Sequence, residues 1–108
     1  MTDAAARTHI ARFNAAVRSG DWSAFLTSFH PDAVMTFAGP PRGPFVGRDA
    51  IAAAYAANPP DDTMTVVAAA SDGAGREIVA FAWSRGGTGT LTIRRRGARI
   101  IELVVSLA

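Results

Sequence analysis

Apolar residues recur at two different periods along this chain, and the change of period divides it in two. From Asp3 to Ser19, Ala6, Ile10, Phe13 and Val17 fall three or four residues apart, which is one stripe of an amphipathic helix. Thr2 or Asp3 can cap its start, and Gly20 suits a left-handed stop. Asp21 is placed to cap a second short helix, in which Trp22, Phe25, Leu26 and Phe29 form a broad apolar face; His30 ends it, and Pro31 prevents its continuation. Ala33 to Phe37 reads as a first strand. After it, Gly39, Pro40, Pro41, Gly43 and Pro44 predict an irregular connection. A third helix is predicted from Gly47 or Arg48 to Ala57, with Ile51 and Tyr55 on one side and Asn58-Pro59-Pro60 as its stop.

From Thr63 onward the period is two. Strands are predicted at roughly 63–71, 76–85, 88–96 and 99–107, joined by Asp72-Gly73-Ala74-Gly75, Gly86-Gly87 and Arg96-Gly97, which is hairpin chemistry. Helices first and an antiparallel meander last make an α+β fold with the helices packed on one face of the sheet. At 108 residues, with no repeat and no dividing linker, the chain is expected to be one domain with one modest core.

The order α-α-β-α-β-β-β-β resembles the nuclear transport factor 2-like superfamily. The stretch RFNAAVRSGDWSAFLTSFHPDAVMTF resembles the helix, Gly-Asp corner, helix and strand that open that fold, and GRDAIAAAY resembles the start of its third helix. The likeness runs over essentially the whole chain and is closest to the SnoaL-like and ketosteroid-isomerase-like branches. It implies a curved sheet wrapped around three helices as a cone. It also implies a blind pocket with Asp32 to Tyr55 as wall and rim, and pairing of two chains through the convex sheet face.

Composition narrows the chemistry. There is no cysteine, so neither disulfides nor thiolate metal sites are available. The two histidines are not spaced with carboxylates as metal ligands, and no phosphate loop, dinucleotide fingerprint or Ser-His-acid set is present. No metal and no cofactor is expected. All eleven basic residues are arginine, which, with the abundant Ala and Gly, suggests a GC-rich bacterial coding bias; the net charge is only +2. Arg94, Arg95, Arg96 and Arg99 read as a solvated cluster at a hairpin tip, and no nucleic-acid partner is expected. The start of the chain has no signal-peptide core, and no apolar run approaches the roughly 18 residues of a membrane span. The expectation is a cytoplasmic protein without a membrane partner.

In the isomerases that the chain resembles, a carboxylate near the end of the first strand takes the proton, and a tyrosine and a protonated aspartate hold the enolate oxygen. Carried over residue by residue, the base position falls on Phe37, the tyrosine on Phe13 and the aspartate near Thr90. Tyr55 matches a tyrosine that backs the catalytic one. Each missing donor is worth about 10²–10³ in rate, so classical ketosteroid isomerase activity is predicted absent.

Of the other acids, Asp3, Asp21, Asp49, Asp61, Asp62 and Asp72 have cap or loop positions, Asp32 precedes the first strand, and Glu77 begins one. Glu102 alone stands mid-strand. The alternation Ile101, Leu103, Val105, Leu107 against Ile100, Glu102, Val104, Ser106 puts it on the convex face, within reach of Arg94 or a partner chain. The opposite register would make it a general base. His30 reads as a residue complementing a helix C-terminus, and His9 as a solvated one. The catalytic candidates are therefore Tyr55, His30 and Glu102. Arg42 and Arg48 flank the expected rim, where they can meet an anionic group or simply face solvent.

Phe81 and Trp83 share one side of their strand. A two-residue Gly86-Gly87 loop turns Trp83 outward; a three-residue loop pairs it with Leu91, inside, where aromatics fill a small cone. The expected pocket is lined by Phe13, Val17, Met35, Phe37, Tyr55, Trp83 and Leu103, suited to a small hydrophobic ligand of the polyketide or steroid kind that the resemblance implies. The competing readings are a dimerising module whose cone is filled by its own side chains, and an isomerase-, cyclase- or hydrolase-like enzyme with a divergent site.

Overall fold

The structure, a computed structural model, describes residues 2–38 and 42–107, and the side chains of all of these except 2, 3 and 42. The elements run α1 (Thr2–Ser19), α2 (Ser23–Thr27), β1 (Phe29–Ala38), β2 (Arg42–Val46), α3 (Arg48–Ala57), β3 (Met64–Ser71), β4 (Arg76–Trp83), β5 (Thr88–Arg96) and β6 (Arg99–Leu107). The strands form one sheet in the order β2-β1-β6-β5-β4-β3. The α+β architecture and the meander β3 to β6 are as the periodicity predicts. The caps proposed at Thr2 and Asp3, and the residues Gly39, Pro40 and Pro41, lie outside what the structure describes.

Three corrections concern the middle of the chain. First, α2 is only 23–27, and Phe29, His30 and Pro31 already belong to β1. Pro31 sits where the β1–β6 register breaks, between Phe29 and Val34, so its missing N–H costs no ladder bond. Second, the Pro/Gly-rich connection contains the edge strand β2, which pairs Val34 with Val46 and Met35 with Phe45. An edge tolerates Pro44, and the order becomes α-α-β-β-α-β-β-β-β. Third, β1 pairs with β6 in parallel, while the other pairings are antiparallel.

The helices lie on the concave face. α1 buries Ala6, His9, Ile10, Phe13 and Ala16 and stops at Gly20, whose φ of 78° and bond from its N–H to Ala16 O (2.8 Å) make the left-handed end. Asn14 docks α1 to the sheet edge: its amide donates to Met64 O (2.9 Å) and its Oδ1 accepts Met64 N–H (2.8 Å). A side-chain amide thus supplies one rung of ladder to the start of β3.

The β4–β5 register decides the aromatic question. Ala82 pairs with Thr88 and Phe81 with Gly89, and the turn is closed by Trp83 N–H on Gly87 O (2.9 Å). Neither register considered from the Gly-Gly pair is the one formed, but Phe81 and Trp83 do face inward. Gly89 is what lets Phe81 lie flat there: a Cβ at Gly89 would meet the ring at 2.5 Å. In β6 a register shift opposite Arg94/Arg95 changes the phase of alternation. Ile100 is therefore in the core and Ile101 half-buried, the reverse of a strict alternation.

Candidate ligand-binding site

Two cavities share Phe37, Tyr55 and Pro60. One is the interior of the cone, about 70 Å³, walled by Phe13, Met64, Trp83, Leu91, Leu103 and Val105. Its volume is small because aromatic rings occupy the space. Phe25 is the hub of an aromatic cluster that joins this wall, with its ring 5.2 Å from His9, 5.9 Å from Phe13, 5.2 Å from Trp22, 5.3 Å from Phe29 and 5.3 Å from Tyr55. Most of these pairs are edge-to-face, the favourable quadrupole arrangement.

The other cavity is a cleft of about 440 Å³ between α3 and the β1–β2 pair. On one side are Met35, Phe37 and Phe45; on the other α3 presents Ala50, Ala53, Ala54 and Ala57, with Tyr55 at its inner end. The alanines give α3 high helix propensity and almost no reach. A helix so lined cannot fill the gap to the strand pair, and the gap stays open.

Of the seven residues expected to line a pocket, Phe13, Phe37, Tyr55, Trp83 and Leu103 line the interior, and Met35, Phe37 and Tyr55 line the cleft. Val17 lines neither; it packs, half-buried, against the core. Phe45, Pro60 and Met64 escaped the sequence reading, Phe45 because the strand carrying it did. Tyr55 is stacked on Trp22 (centroids 4.8 Å apart, 18° between planes), and burial pushes its phenol above the ordinary tyrosine value. It stays protonated at neutral pH, a donor and not a base.

The main correction concerns His9, which is 4 % exposed, not solvated. It follows Ala6 by three residues and precedes Phe13 by four, so the spacing that marks the apolar stripe marks His9 as well. Burial, reinforced by the positive charges of Arg95 and Arg12, pushes its pKa down to about 4. It is neutral at pH 7, and its Nδ1 is buried without a hydrogen-bond partner among the described residues. A neutral imidazole thus stands in the wall of an otherwise apolar cone.

The other candidates lie elsewhere. His30 is on β1, not at a helix end; its Nδ1 accepts the Asp32 backbone N–H (3.0 Å). Glu102 faces outward, 3.7 Å from Arg94. Thr90 also faces outward, opposite Ala80 and Ser106, and Leu91 is its inward neighbour. Arg48 donates to Phe29 O (3.3 Å) and so ties α3 to β1; the Arg42 side chain is outside the described residues. The arginine cluster is divided, because Arg95 turns inward and holds Glu77 (Nε to Oε2, 2.6 Å). Among the described residues no group of three or more His, Asp or Glu side chains could hold a metal, and no helix is long and apolar enough to cross a membrane.

Residues 10–105 match the SnoaL-like domain. The chain belongs to that family. Among solved structures, this SnoaL-like domain is similar to a provisionally assigned ketosteroid isomerase from Kribbella flavida (TM-score 0.71, 15% identity, covering 100% of this chain and 82% of that one). It is similar to a provisionally assigned polyketide cyclase from Sinorhizobium meliloti (TM-score 0.68, 19% identity, 91% and 93% covered). A de novo designed protein with a curved β-sheet is similar to the same degree (TM-score 0.70, 13% identity, 100% and 88% covered). Likeness to a designed protein shows that these scores report the cone and not its chemistry. No functionally curated protein matches the chain.

Proposed function

We propose that this SnoaL-like domain binds a small hydrophobic molecule, of polyketide- or steroid-like character, in the cleft between α3 and the β1–β2 pair. The observation that carries it is the cleft itself: about 440 Å³, with apolar side chains on both walls, within the roughly 300–1,000 Å³ of ordinary ligand sites. The provisional cyclase and isomerase assignments of similar folds lend it support. Tyr55, neutral and at the inner end of the cleft, is the group best placed to donate to a ligand oxygen. Isomerisation by a carboxylate base is outside this function, because Phe37 stands where that base is expected.

A thermal-shift screen with apolar ring compounds tests it. A compound present at 100 times its dissociation constant stabilises the native state by about 2.7 kcal/mol, which is several degrees in midpoint for a domain of this size. The absence of a shift with any compound sinks the proposal, and a measurable enone isomerase rate overturns its negative half.

A second reading, a dimerising module without a ligand, is favoured by the cone interior of about 70 Å³, which is below the range of ligand sites. Its interface would be the convex sheet face, where Ala80, Ala82, Thr90, Thr92 and Val104 make a small-residue surface and Val67 is 63 % exposed. Light scattering at two concentrations distinguishes a dimer from a monomer.

A further inference from the structure

A third cavity lies at the other end of α1 and has the opposite character. It measures about 320 Å³ and is lined by Ala4, Ala5, Thr8, His9, Arg12, Ser28, Arg95 and Ala98. Three facts set it apart from an ordinary surface hollow. Arg12 lines it, and no carboxylate among the described residues pairs with that guanidinium. Arg95 is held in place by Glu77 through Nε (2.6 Å) and a longer contact from Nη2 (3.4 Å), so the guanidinium is fixed but not fully used. His9 forms the inner wall, 4 % exposed, with Nδ1 unpartnered.

The two hydroxyls there have their protons committed to backbone carbonyls, which leaves recognition of an anion to the arginines. Thr8 Oγ1 donates to Ala4 O (2.9 Å) and Ser28 Oγ to Phe25 O (2.6 Å), and Glu77 is already engaged by Arg95. Among the described residues, Glu77 pairs with Arg95 and leaves the Arg12 guanidinium without an ion pair. A planar guanidinium recognises two oxygens of one anion with parallel N–H bonds. The His9 imidazole closes the same wall, and because its unpartnered Nδ1 has no exposed surface, the two guanidiniums carry the recognition.

We infer that the hollow formed by α1, the α2–β1 corner and the β5–β6 turn binds the oxyanion of a small organic molecule, a carboxylate or a phosphate ester, between Arg12 and Arg95 with His9 behind it. This site is independent of the apolar cleft, since no residue of the cleft lines it. A vacancy in one therefore says nothing about the other.

The test is an NMR titration of protein carrying ¹⁵N arginine and ¹⁵N alanine, at low ionic strength, with inorganic phosphate and benzoate added separately. The expected result is a saturable shift at the side-chain N–H groups of Arg12 and Arg95 and at the Ala98 amide. Phosphate alone producing it assigns a phosphate ester; benzoate alone assigns a carboxylate. Arg12→Ala, at an exposed helical position that alanine suits, is expected to weaken binding about tenfold or more, or about 1.4 kcal/mol. Arg18→Ala, on the same helix outside the hollow, is expected to leave it unchanged. Shifts that do not saturate, shifts shared by all arginines, or equal loss in the two variants would overturn the site.

Discussion

The interior of the cone and the cleft beside it are built on the same sheet, share Phe37 and Tyr55, and differ about sixfold in open volume, 70 Å³ against 440 Å³. The contrast lies in side-chain size. Toward the interior the helices point Phe13, Trp22 and Phe25, and the sheet answers with Phe81 and Trp83. Toward the cleft α3 points four alanines. Topology offers a concave face in both places, and residue volume decides which part of it stays open.

The sharpest way to break that contrast is to open the filled side. Phe25→Ala removes the ring that touches five others and is expected to cost about 3–5 kcal/mol, read as a lower denaturant midpoint. If it costs under 1 kcal/mol, the interior is not the close-packed half of the molecule.

Next in size is the effect of pH on the interior. The His9 pKa of about 4 in the folded protein lies below the ordinary histidine value of 6.5 that the unfolded chain has, so the unfolded chain takes up the proton first. Stability from this group is complete above about pH 6.5 and is lost as pH falls through 4, by about 3 kcal/mol in all. Asp21 and Asp72, both held below the ordinary carboxylate value by hydrogen bonds, move stability in the same direction at lower pH. The His9 contribution is therefore read as the difference in pH slope between the native chain and His9→Gln, which is expected to be flatter between pH 6.5 and 4.

Overfilling is the third. In Gly89→Ala the new methyl would lie 2.5 Å from the Phe81 ring and 2.8 Å from Ser106 O, and neither a buried ring nor a strand carbonyl can retreat far. A loss of about 1–3 kcal/mol is expected, visible as a lower thermal midpoint. The smallest effect on stability is the most informative about function. Ala53→Leu, at an exposed position of α3 that borders the cleft, is expected to change stability by no more than about 0.5 kcal/mol while removing the thermal shift given by any cleft ligand. Retention of the shift would place the ligand elsewhere.

Much of this was legible in the chain. The stripe Ala6, Ile10, Phe13, the stop at Gly20, the helix opened at Gly47 and the four strands from Thr63 onward all appear close to their predicted bounds, because each rests on local periodicity and local turn chemistry. Glu102 also stands on the convex face where the apolar alternation puts it, and the β5–β6 register sets it opposite Arg94. What escaped was decided by partners distant in sequence. β2 exists because β1 offers a free edge to a segment whose prolines would otherwise forbid a strand. His9 is buried because Phe25 and Phe29 close over it (rings 5.2 and 6.3 Å away), although a lone histidine in a helix reads as polar. Arg95 leaves its charged neighbours because Glu77, one strand away, holds it.

The sequence by itself determined the type and order of most elements and the apolar nature of the concave face. Those depend on spacing within about ten residues, and no rearrangement in space alters spacing. The tertiary structure alone decided the register of β4 on β5, the shift that brings Ile100 inward, and the place of the open volume. Those depend on how side chains of given size meet across the sheet. The lesson is plainest between Asp32 and Tyr55, where the resemblance implies a pocket wall and only packing puts the larger cavity between α3 and the β1–β2 pair, leaving about 70 Å³ inside the cone.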